Sequence, residues 1–493
     1  MASSGALTHI RNYASAGVLG AFAGIVTFPI MTRSLTVGEY GILGLITSSA
    51  TLFIACGKLG MQHAVIRFYA QVKNANIGYS LGQMNSTVSM LFLLLAIFTS
   101  CLWVALGYTV LPLLSDFENI SELFVIAAGI VFLRLLGSGF LNFLRAQQRS
   151  GVVGLASILA KYSYLAFILL FVLLGWISVG FALASMVFAE IISIGFAAKK
   201  YGPDFYFRFN EVSASLGKAM LIYGVPLMMM ESLGLVMRLS DRYIIQYMLG
   251  ENALGMYSAS YNLTAYLDII LLTAMVQAIK PHYMQLWESD GIKPTQQFLS
   301  DGLRTYLIIG IPLVALFSAV GPHLMGFLAS AKYDPGTVII PFVAFSFLIE
   351  GSIQFLAAGL YVRKNTSVLM FWGVIACCMN LTLNILAIPK FGILGPAIVT
   401  IITYALFILC VSLRAFKDLS FTIEPKVPAI IALLSITVFT MLYNLDFGGD
   451  FINLVVKGTI GLILLVAGIV IIDARSREIF LHRLRPPKPG MIK

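Results

Sequence analysis

Ionisable side chains stand inside long apolar stretches of this sequence, where a charge is costly unless it serves a site or finds a partner. In the first half they are Lys58, Arg134, Lys161 and Glu190. Three cations against one acid leave an excess of positive charge, which a phosphate-bearing ligand would neutralise. The alternative is a buried ion-pair network around Glu190, with Lys58 extending to the nearby inner surface.

The second half reverses this balance, with Glu231, Asp268 and Glu350 against Arg238. Glu231 and Arg238 are seven residues apart, so they share one helix face, about 10 Å apart along the axis. Acids in polar stripes of spanning helices can bind a proton or Na⁺, as carriers that use an ion gradient require. The alternative is that these acids pair with Arg238 or with polar groups on neighbouring helices.

Two sets of candidate site residues follow from these charges. The candidates for contact with an anionic substrate are Lys58, Arg134, Lys161 and Arg238. The candidates for the coupling ion are Glu231, Asp268 and Glu350, with Arg238 as the internal cation that replaces the ion when it leaves. We predict no catalytic residue, metal site or cofactor. The five cysteines all fall in apolar stretches, and the histidines lack metal-ligand spacing.

The elements that must position these residues are membrane-spanning helices. Of the 493 residues, 59% are hydrophobic and 11% are charged, and the mean hydropathy is +0.92. This composition excludes a soluble globular chain. With about 20 apolar residues per span, the sequence predicts about fourteen spans. They are 12–32, 41–63, 81–106, 121–144, 152–174, 177–198, 219–240, 253–279, 303–328, 337–361, 367–388, 394–414, 428–445 and 452–472.

The positions of the basic residues predict the orientation. With a cytoplasmic N-terminus, five of the 32 Lys and Arg residues fall outside and four fall within spans, so 23 lie inside. This bias follows the positive-inside rule and places both termini in the cytoplasm. The net charge of +10 is therefore a topology signal that needs no nucleic-acid partner. The basic tail is expected to lie against anionic lipid headgroups.

The second half of the chain repeats the first. Gly41 and Gly255 are 214 positions apart, and each belongs to a turn between two spans; the same offset aligns Tyr69 with Tyr283. The sequence thus predicts two six-helix lobes related by a pseudo-two-fold axis along the membrane normal, a transporter design. The predicted divisions are an N-terminal lobe at 1–198, a cytoplasmic interfacial linker at 199–218, a C-terminal lobe at 219–416, and two extra helices with a basic cytoplasmic tail at 417–493.

The chain resembles the polysaccharide transport family, the flippases for lipid-linked O-antigen and other oligosaccharides. These flippases share a superfamily with lipid II flippases and multidrug exporters. The resemblance covers essentially the whole chain. The motifs that carry it are Gly38-Glu-Tyr-Gly41, Arg145-Ala-Gln-Gln-Arg-Ser150, Tyr223-Gly-Val-Pro226, Ser240-Asp-Arg-Tyr243 and Gly255-Met-Tyr-Ser-Ala-Ser-Tyr261.

The resemblance implies a non-enzymatic carrier in the cytoplasmic (inner) membrane. Its cavity, open alternately to either side, moves an undecaprenyl-diphosphate-linked oligosaccharide to the outer leaflet. Implied partners are this lipid-linked substrate, membrane lipids, H⁺ or Na⁺, and glycan-assembly proteins. The chain departs from the O-antigen flippases, which usually have twelve spans. It also lacks the arginines that lipid II flippases carry deep in span one, since Arg33 stands at the outer end.

Three other functions are alternatives. A cation-coupled multidrug exporter of the same superfamily would more often show acids in the first bundle. A membrane glycosyltransferase or polymerase usually needs a large outer loop bearing carboxylates, and the predicted loops are short. A non-transporting scaffold does not explain charges inside so many spans.

Overall fold

A computed structural model of the chain describes residues 2–74, 76–109, 117, 119–201, 207–269 and 274–473. Every regular element in these ranges is helical. Two 3₁₀ segments, Phe209–Glu211 and Ala331–Ile339, accompany the α-helices. The α-helices are α1 (Ala2–Ser34), α2 (Val37–Gly57), α3 (Met61–Lys73), α4 (Leu81–Thr109), α5 (Ile120–Ala146), α6 (Ser150–Leu173), α7 (Val179–Tyr201), α8 (Ala214–Asp268), α9 (Ala274–Ser289), α10 (Ile292–Leu328), α11 (Ile340–Leu356), α12 (Ala358–Val362), α13 (Thr366–Phe391), α14 (Leu394–Asp418), α15 (Lys426–Asn444) and α16 (Asp450–Ile472).

Thirteen of the described helical stretches are long and apolar enough to cross a membrane. One of them, α8, has 55 residues and joins two spans across Gly250, whose φ of 80° breaks the helix. Each of the fourteen predicted spans overlaps one of these stretches. The predicted fold class, an all-α polytopic membrane protein with about fourteen spans, is therefore confirmed.

Local sequence explains where the helices begin and break. Thr36 and Glu39 form a capping box at the start of α2: the Thr36 hydroxyl accepts the Glu39 N–H at 3.2 Å, and the Glu39 carboxylate accepts the Thr36 N–H at 2.8 Å. The predicted polar turn at 250–255 is reduced to the single residue Gly250, because glycine adopts positive φ without steric cost.

By their contacts, the helices form two compact units. One contains Met1–Ala259 and Leu381–Ile393, and the other contains Ser260–Asn380 and Leu394–Lys493. The predicted lobes at 1–198 and 219–416, and the pseudo-two-fold axis between them, stay predictions. Part of the predicted linker, the end of the span predicted at 253–279 and the basic tail lie outside the described residues.

Within the first unit, α2 meets α8 backbone to backbone. A Cβ on Gly41 would lie 2.5 Å from the Glu251 carbonyl oxygen, and a Cβ on Gly255 would lie 1.9 Å from the Val37 carbonyl oxygen. At the 214-residue offset, Glu251 corresponds to Val37 and Gly255 corresponds to Gly41. The contact is therefore reciprocal: Gly41 approaches residue 251, and its counterpart Gly255 approaches residue 37, the counterpart of residue 251. A local two-fold axis requires such reciprocal contacts.

The register of this contact also gives its direction. Gly38 faces Glu251 and Asn252, while Gly44 faces Ser258 about two turns later, where a Cβ would lie 3.0 Å from the hydroxyl oxygen. Residue numbers rise together on both sides, so α2 and this part of α8 run parallel. A local two-fold between parallel helices lies along the helices, which is the direction that the sequence repeat predicts.

In the second unit, the hairpin of α15 and α16 packs on α10. Its apolar core contains Ala319, Val438, Leu442 and Leu465. Charged contacts flank this core: Arg304 pairs with Asp473, and the Lys457 ammonium lies 2.8 Å from Nε2 of His323. The two helices predicted beyond the lobes are therefore bound to the rest of this unit.

In the loop before α16, the Asn453 amide and the Gly448 N–H hold the pKa of Asp446 below its usual value.

We expect Gly255→Ala to lower the thermal unfolding midpoint of the detergent-purified protein. The new methyl group has no room against the Val37 carbonyl, and overpacking of this kind costs about 1–3 kcal/mol. Gly234→Ala is the matched control on α8, because a Cβ there meets nothing within 4 Å. It should be neutral or slightly stabilising. Equal midpoints for the two variants would contradict the close approach of α2 and α8.

Candidate functional site

A charged cavity of about 420 Å³ lies within the first unit, between α2, α5, α6, α7 and α8. Its volume falls in the range of about 300–1,000 Å³ that is typical of small-molecule sites. Each helix contributes residues three, four or seven positions apart, so each presents one face. The charged lining residues are Lys58, Arg134, Arg145, Glu190 and Glu231.

The closest charge pair in the cavity joins α5 to α7. Nε of Arg134 lies 2.6 Å from Oε1 of Glu190, with 41% of the arginine side chain and 15% of the glutamate side chain exposed. Gly137, one turn along α5, lets α7 approach: a Cβ there would lie 2.7 Å from Cγ1 of Ile194. The sequence therefore places a glycine where the two helices must come close for the ion pair to form.

Lys58 and Arg145 complete the cationic part of the cavity. Lys58 caps the C-terminal end of α2, where a cation also favours the negative end of the helix dipole. Both glutamates and both arginines of the cavity act electrostatically on Lys58. Arg145 stands in the last turn of α5 and donates from Nη1 to Oδ1 of Asn142 at 2.9 Å.

Glu231 forms the α8 side of the cavity. Its Oε2 accepts a hydrogen bond from Nε2 of Gln62 at 2.7 Å and lies 3.5 Å from Nε2 of His63. Gln62 and His63 open α3, which follows a turn at Gly60 with φ of 71°. A Cβ on Gly60 would lie 1.9 Å from the Gly224 carbonyl oxygen, so α3 begins directly against α8.

This arrangement can bind an anion with more than one acidic oxygen. Among the described lining residues, three cations face two carboxylates, and hydroxyls surround them. Arg and Lys bind phosphate oxygens through charge-assisted hydrogen bonds. The hydroxyl-bearing lining residues, which can add neutral hydrogen bonds, are Thr51, Ser138, Ser157 and Ser193.

The cavity contains some of the residues predicted from sequence and misses others. Lys58, Arg134 and Glu231 line it, whereas the described lining includes neither Lys161 nor Arg238. Lys161 is exposed on α6, and its side chain packs against Gly20, where a Cβ would lie 2.7 Å from Nζ. Their roles as substrate contacts stay predictions.

The three predicted acids fall in different places. Glu231 lines the cavity of the first unit, and Asp268 and Glu350 belong to the second unit. These two both act electrostatically on the buried phenol of Tyr306, whose hydroxyl donates to the Leu348 carbonyl oxygen at 3.0 Å. The structure therefore brings Asp268 and Glu350 to one neighbourhood and assigns Glu231 to another.

Sequence reasoning overlooked Arg145 and the partners of Glu231. The signal for Arg145 was present, because it lies eleven residues after Arg134 and so three turns along the same face of α5. Gln62 and His63 reach Glu231 from a different helix. Spacing within one helix carries no information about such a contact.

Comparisons with known proteins agree on the class of the chain. The family model described as "Polysaccharide biosynthesis protein" matches residues 9–287. An uncharacterized membrane protein of Methanocaldococcus jannaschii is 28% identical over 295 residues, 58% of this chain and 57% of that protein. A probable flippase of Haloferax volcanii is 24% identical over 168 residues, 34% of this chain and 35% of that protein. A capsular polysaccharide biosynthesis protein of Staphylococcus aureus is 22% identical over 417 residues, 81% of this chain and 96% of that protein.

Two solved structures share the fold. The lipid II flippase MurJ in an inward closed conformation has a TM-score of 0.76 at 16% identity, covering 97% of this chain and 99% of that chain. An inward-facing multidrug resistance transporter of the MATE family has a TM-score of 0.68 at 12% identity, covering 81% of this chain and 95% of that chain. At these identities the likeness concerns the fold alone.

We expect position 134 to be reached by water, because its side chain opens into the cavity. In a background without the five natural cysteines, Arg134→Cys should react with a charged, membrane-impermeant thiol reagent at least about tenfold faster than Leu169→Cys. Leu169 on α6 is 42% exposed, a fraction similar to the 41% of the Arg134 side chain, but it is one of the exposed large hydrophobic residues. Equal labelling of the two positions would contradict a water-filled cavity at Arg134.

Proposed function

This chain belongs to the polysaccharide biosynthesis protein family, and on that premise we propose that it is a flippase for a lipid-linked oligosaccharide. It moves an undecaprenyl-diphosphate-linked oligosaccharide from the inner to the outer leaflet of the cytoplasmic membrane by alternating access. It is a carrier and makes or breaks no covalent bond. Both termini face the cytoplasm, where glycan-assembly proteins deliver the substrate.

The cationic cavity carries this proposal. Lys58, Arg134 and Arg145 converge from two helices on one space that also holds two carboxylates. A diphosphate diester carries two negative charges, and it would meet three donors of the type that binds phosphate oxygens best. A charge-poor cavity would give this headgroup no compensation for leaving water.

The cation excess also separates this function from export of cationic drugs. The MATE-like fold is shared with a multidrug transporter, so the fold alone does not choose between them. A cationic ligand in this cavity would face repulsion from three positive side chains, relieved by only two acids. An anionic headgroup experiences the opposite balance.

In the proposed cycle, the membrane potential drives the outward step and the acids allow the empty carrier to return. An inside-negative potential favours outward movement of negative charge by about 2.3 kcal/mol per charge per 100 mV. The empty carrier then returns after Glu231, Asp268 and Glu350 take up H⁺ or Na⁺ from outside. Arg238 supplies the internal cation when this ion leaves.

Arg134→Gln should abolish oligosaccharide display at the cell surface while the amount of protein in the membrane stays unchanged. The change removes one of the three cations of the cavity, and losing such a charged hydrogen bond costs about 2–5 kcal/mol of binding. Lys73→Gln, an exposed cation in the last turn of α3, is the control. Normal display in Arg134→Gln would exclude the cavity as the headgroup site.

Glu231→Gln and Asp268→Asn should remove the dependence of flipping on the ion gradient and leave its dependence on the potential. Each variant keeps the shape of its side chain but can no longer exchange a proton or pair with Na⁺. Flipping of a fluorescent lipid-linked oligosaccharide would be measured in vesicles with the potential and the gradients clamped separately. If both variants keep the full ion dependence, these acids are structural and coupling occurs elsewhere.

A further inference from the structure

The contact between Arg134 and Glu190 bears on how the cavity accepts its ligand, given the proposed function. Arg134 is the more accessible partner of the pair: 41% of its side chain is exposed, against 15% of the Glu190 side chain. Both residues line the cavity. Without a ligand, the guanidinium that a phosphate would use is therefore already bound by an anion of the protein.

Ligand and Glu190 compete for the same donor. A guanidinium that binds two phosphate oxygens side by side uses its fork of N–H groups, and Glu190 holds the Nε corner of that fork at 2.6 Å. The guanidinium has further N–H groups, but a dianion bound to any of them repels the Glu190 carboxylate and weakens its bond to Arg134. Phosphate binding thus favours release of Glu190 from this arginine.

The replaced carboxylate is left in an unfavourable environment. It is mostly buried, it loses its cation and it gains a neighbouring dianion, and each change favours the neutral form of a carboxyl group. The other charged groups that line this space are Lys58 on α2, Arg145 on α5 and Glu231 on α8, with His63 behind Glu231. The phenol of Tyr164 on α6 also interacts electrostatically with Arg134. The cations remain to bind the ligand itself.

We propose that Glu190 is an internal counter-ion that the ligand's diphosphate displaces from Arg134, and that Glu190 takes up a proton on displacement. The empty cavity then keeps its arginine compensated, and the filled cavity avoids an uncompensated carboxylate. Since binding takes up a proton, the ligand binds more tightly as the pH falls. One proton changes the dissociation constant by at most about tenfold per pH unit.

The test measures binding of P1,P2-dimethyl diphosphate, a diester whose charge stays constant across the pH range used. The full-length protein in lipid nanodiscs would be studied by calorimetry at about pH 5.5 and about pH 7.5. All variants carry His63→Gln, which removes the ionisable imidazole beside Glu231. In this background the unmodified Glu190 should give at least about tenfold tighter binding at the lower pH.

Glu190→Gln should bind the diester about tenfold more tightly at the higher pH, with an affinity that hardly changes with pH. Glu190→Asp keeps the charge and should retain the pH dependence. Glu211→Gln removes the same charge from outside the cavity lining, so it should also retain it. The proposal is wrong if Glu190→Gln leaves affinity and pH dependence unchanged, or if Glu211→Gln alone removes the pH dependence.

The same measurements keep this proposal apart from the proposed function. If neither the protein with Arg134 nor the Arg134→Gln variant binds the diester at either pH, the cavity is rejected as a headgroup site, and the proposal with it. If binding is lost in Arg134→Gln but is unchanged in Glu190→Gln, only the counter-ion proposal is rejected. Purified Glu190→Gln with an unchanged unfolding midpoint is required in either case, because a broken buried pair can destabilise a fold.

Discussion

The ion pair between Arg134 and Glu190 sets the conditions for the rest of the site. A cation inside spanning helices is costly unless it faces water or a partner, and this arginine has both: a cavity in front of it and a carboxylate 2.6 Å away. A carrier needs positive charge for its substrate in one state and must tolerate the same charge when empty. A carboxylate of the protein, such as that of Glu190, compensates the positive charge in the empty carrier. It lowers the affinity for the substrate in the other state, because it also binds the arginine.

Glycines make this geometry available. Gly137 brings α5 and α7 together at the ion pair, and Gly60 lets α3 begin against α8 where Glu231 stands. Gly41 and Gly255 remove the side chains between α2 and α8, so that these helices meet through their backbones. Small residues at helix crossings are how membrane proteins obtain close packing without help from the hydrophobic effect. The charged side chains depend on these contacts for their positions.

The sequence was sufficient for what depends on composition and on the length of its apolar stretches, and for part of what depends on spacing within one helix. It predicted the all-α class and about fourteen spans, and three of the five charged residues of the cavity among its candidates. It named Glu190 only as a partner in the alternative reading. It could not show that Lys161 packs against Gly20 instead of lining the cavity, because the direction of a side chain depends on the neighbouring helix.

The separation of the acids bears on the ion coupling that we propose for this chain. Asp268 and Glu350 belong to one contact unit, whereas the cavity with its cations belongs to the other. In the proposed mechanism, an ion bound near Tyr306 would not compete with the headgroup for the same side chains, and its effect would be carried by a conformational equilibrium that both ligands bias. Glu190 differs in our proposal, since it would share Arg134 with the ligand and would need no conformational change to exchange with it. A proton at Glu190 and an ion at Asp268 or Glu350 would thus respond to different events: the first to occupancy of the cavity, the second to the state of the carrier.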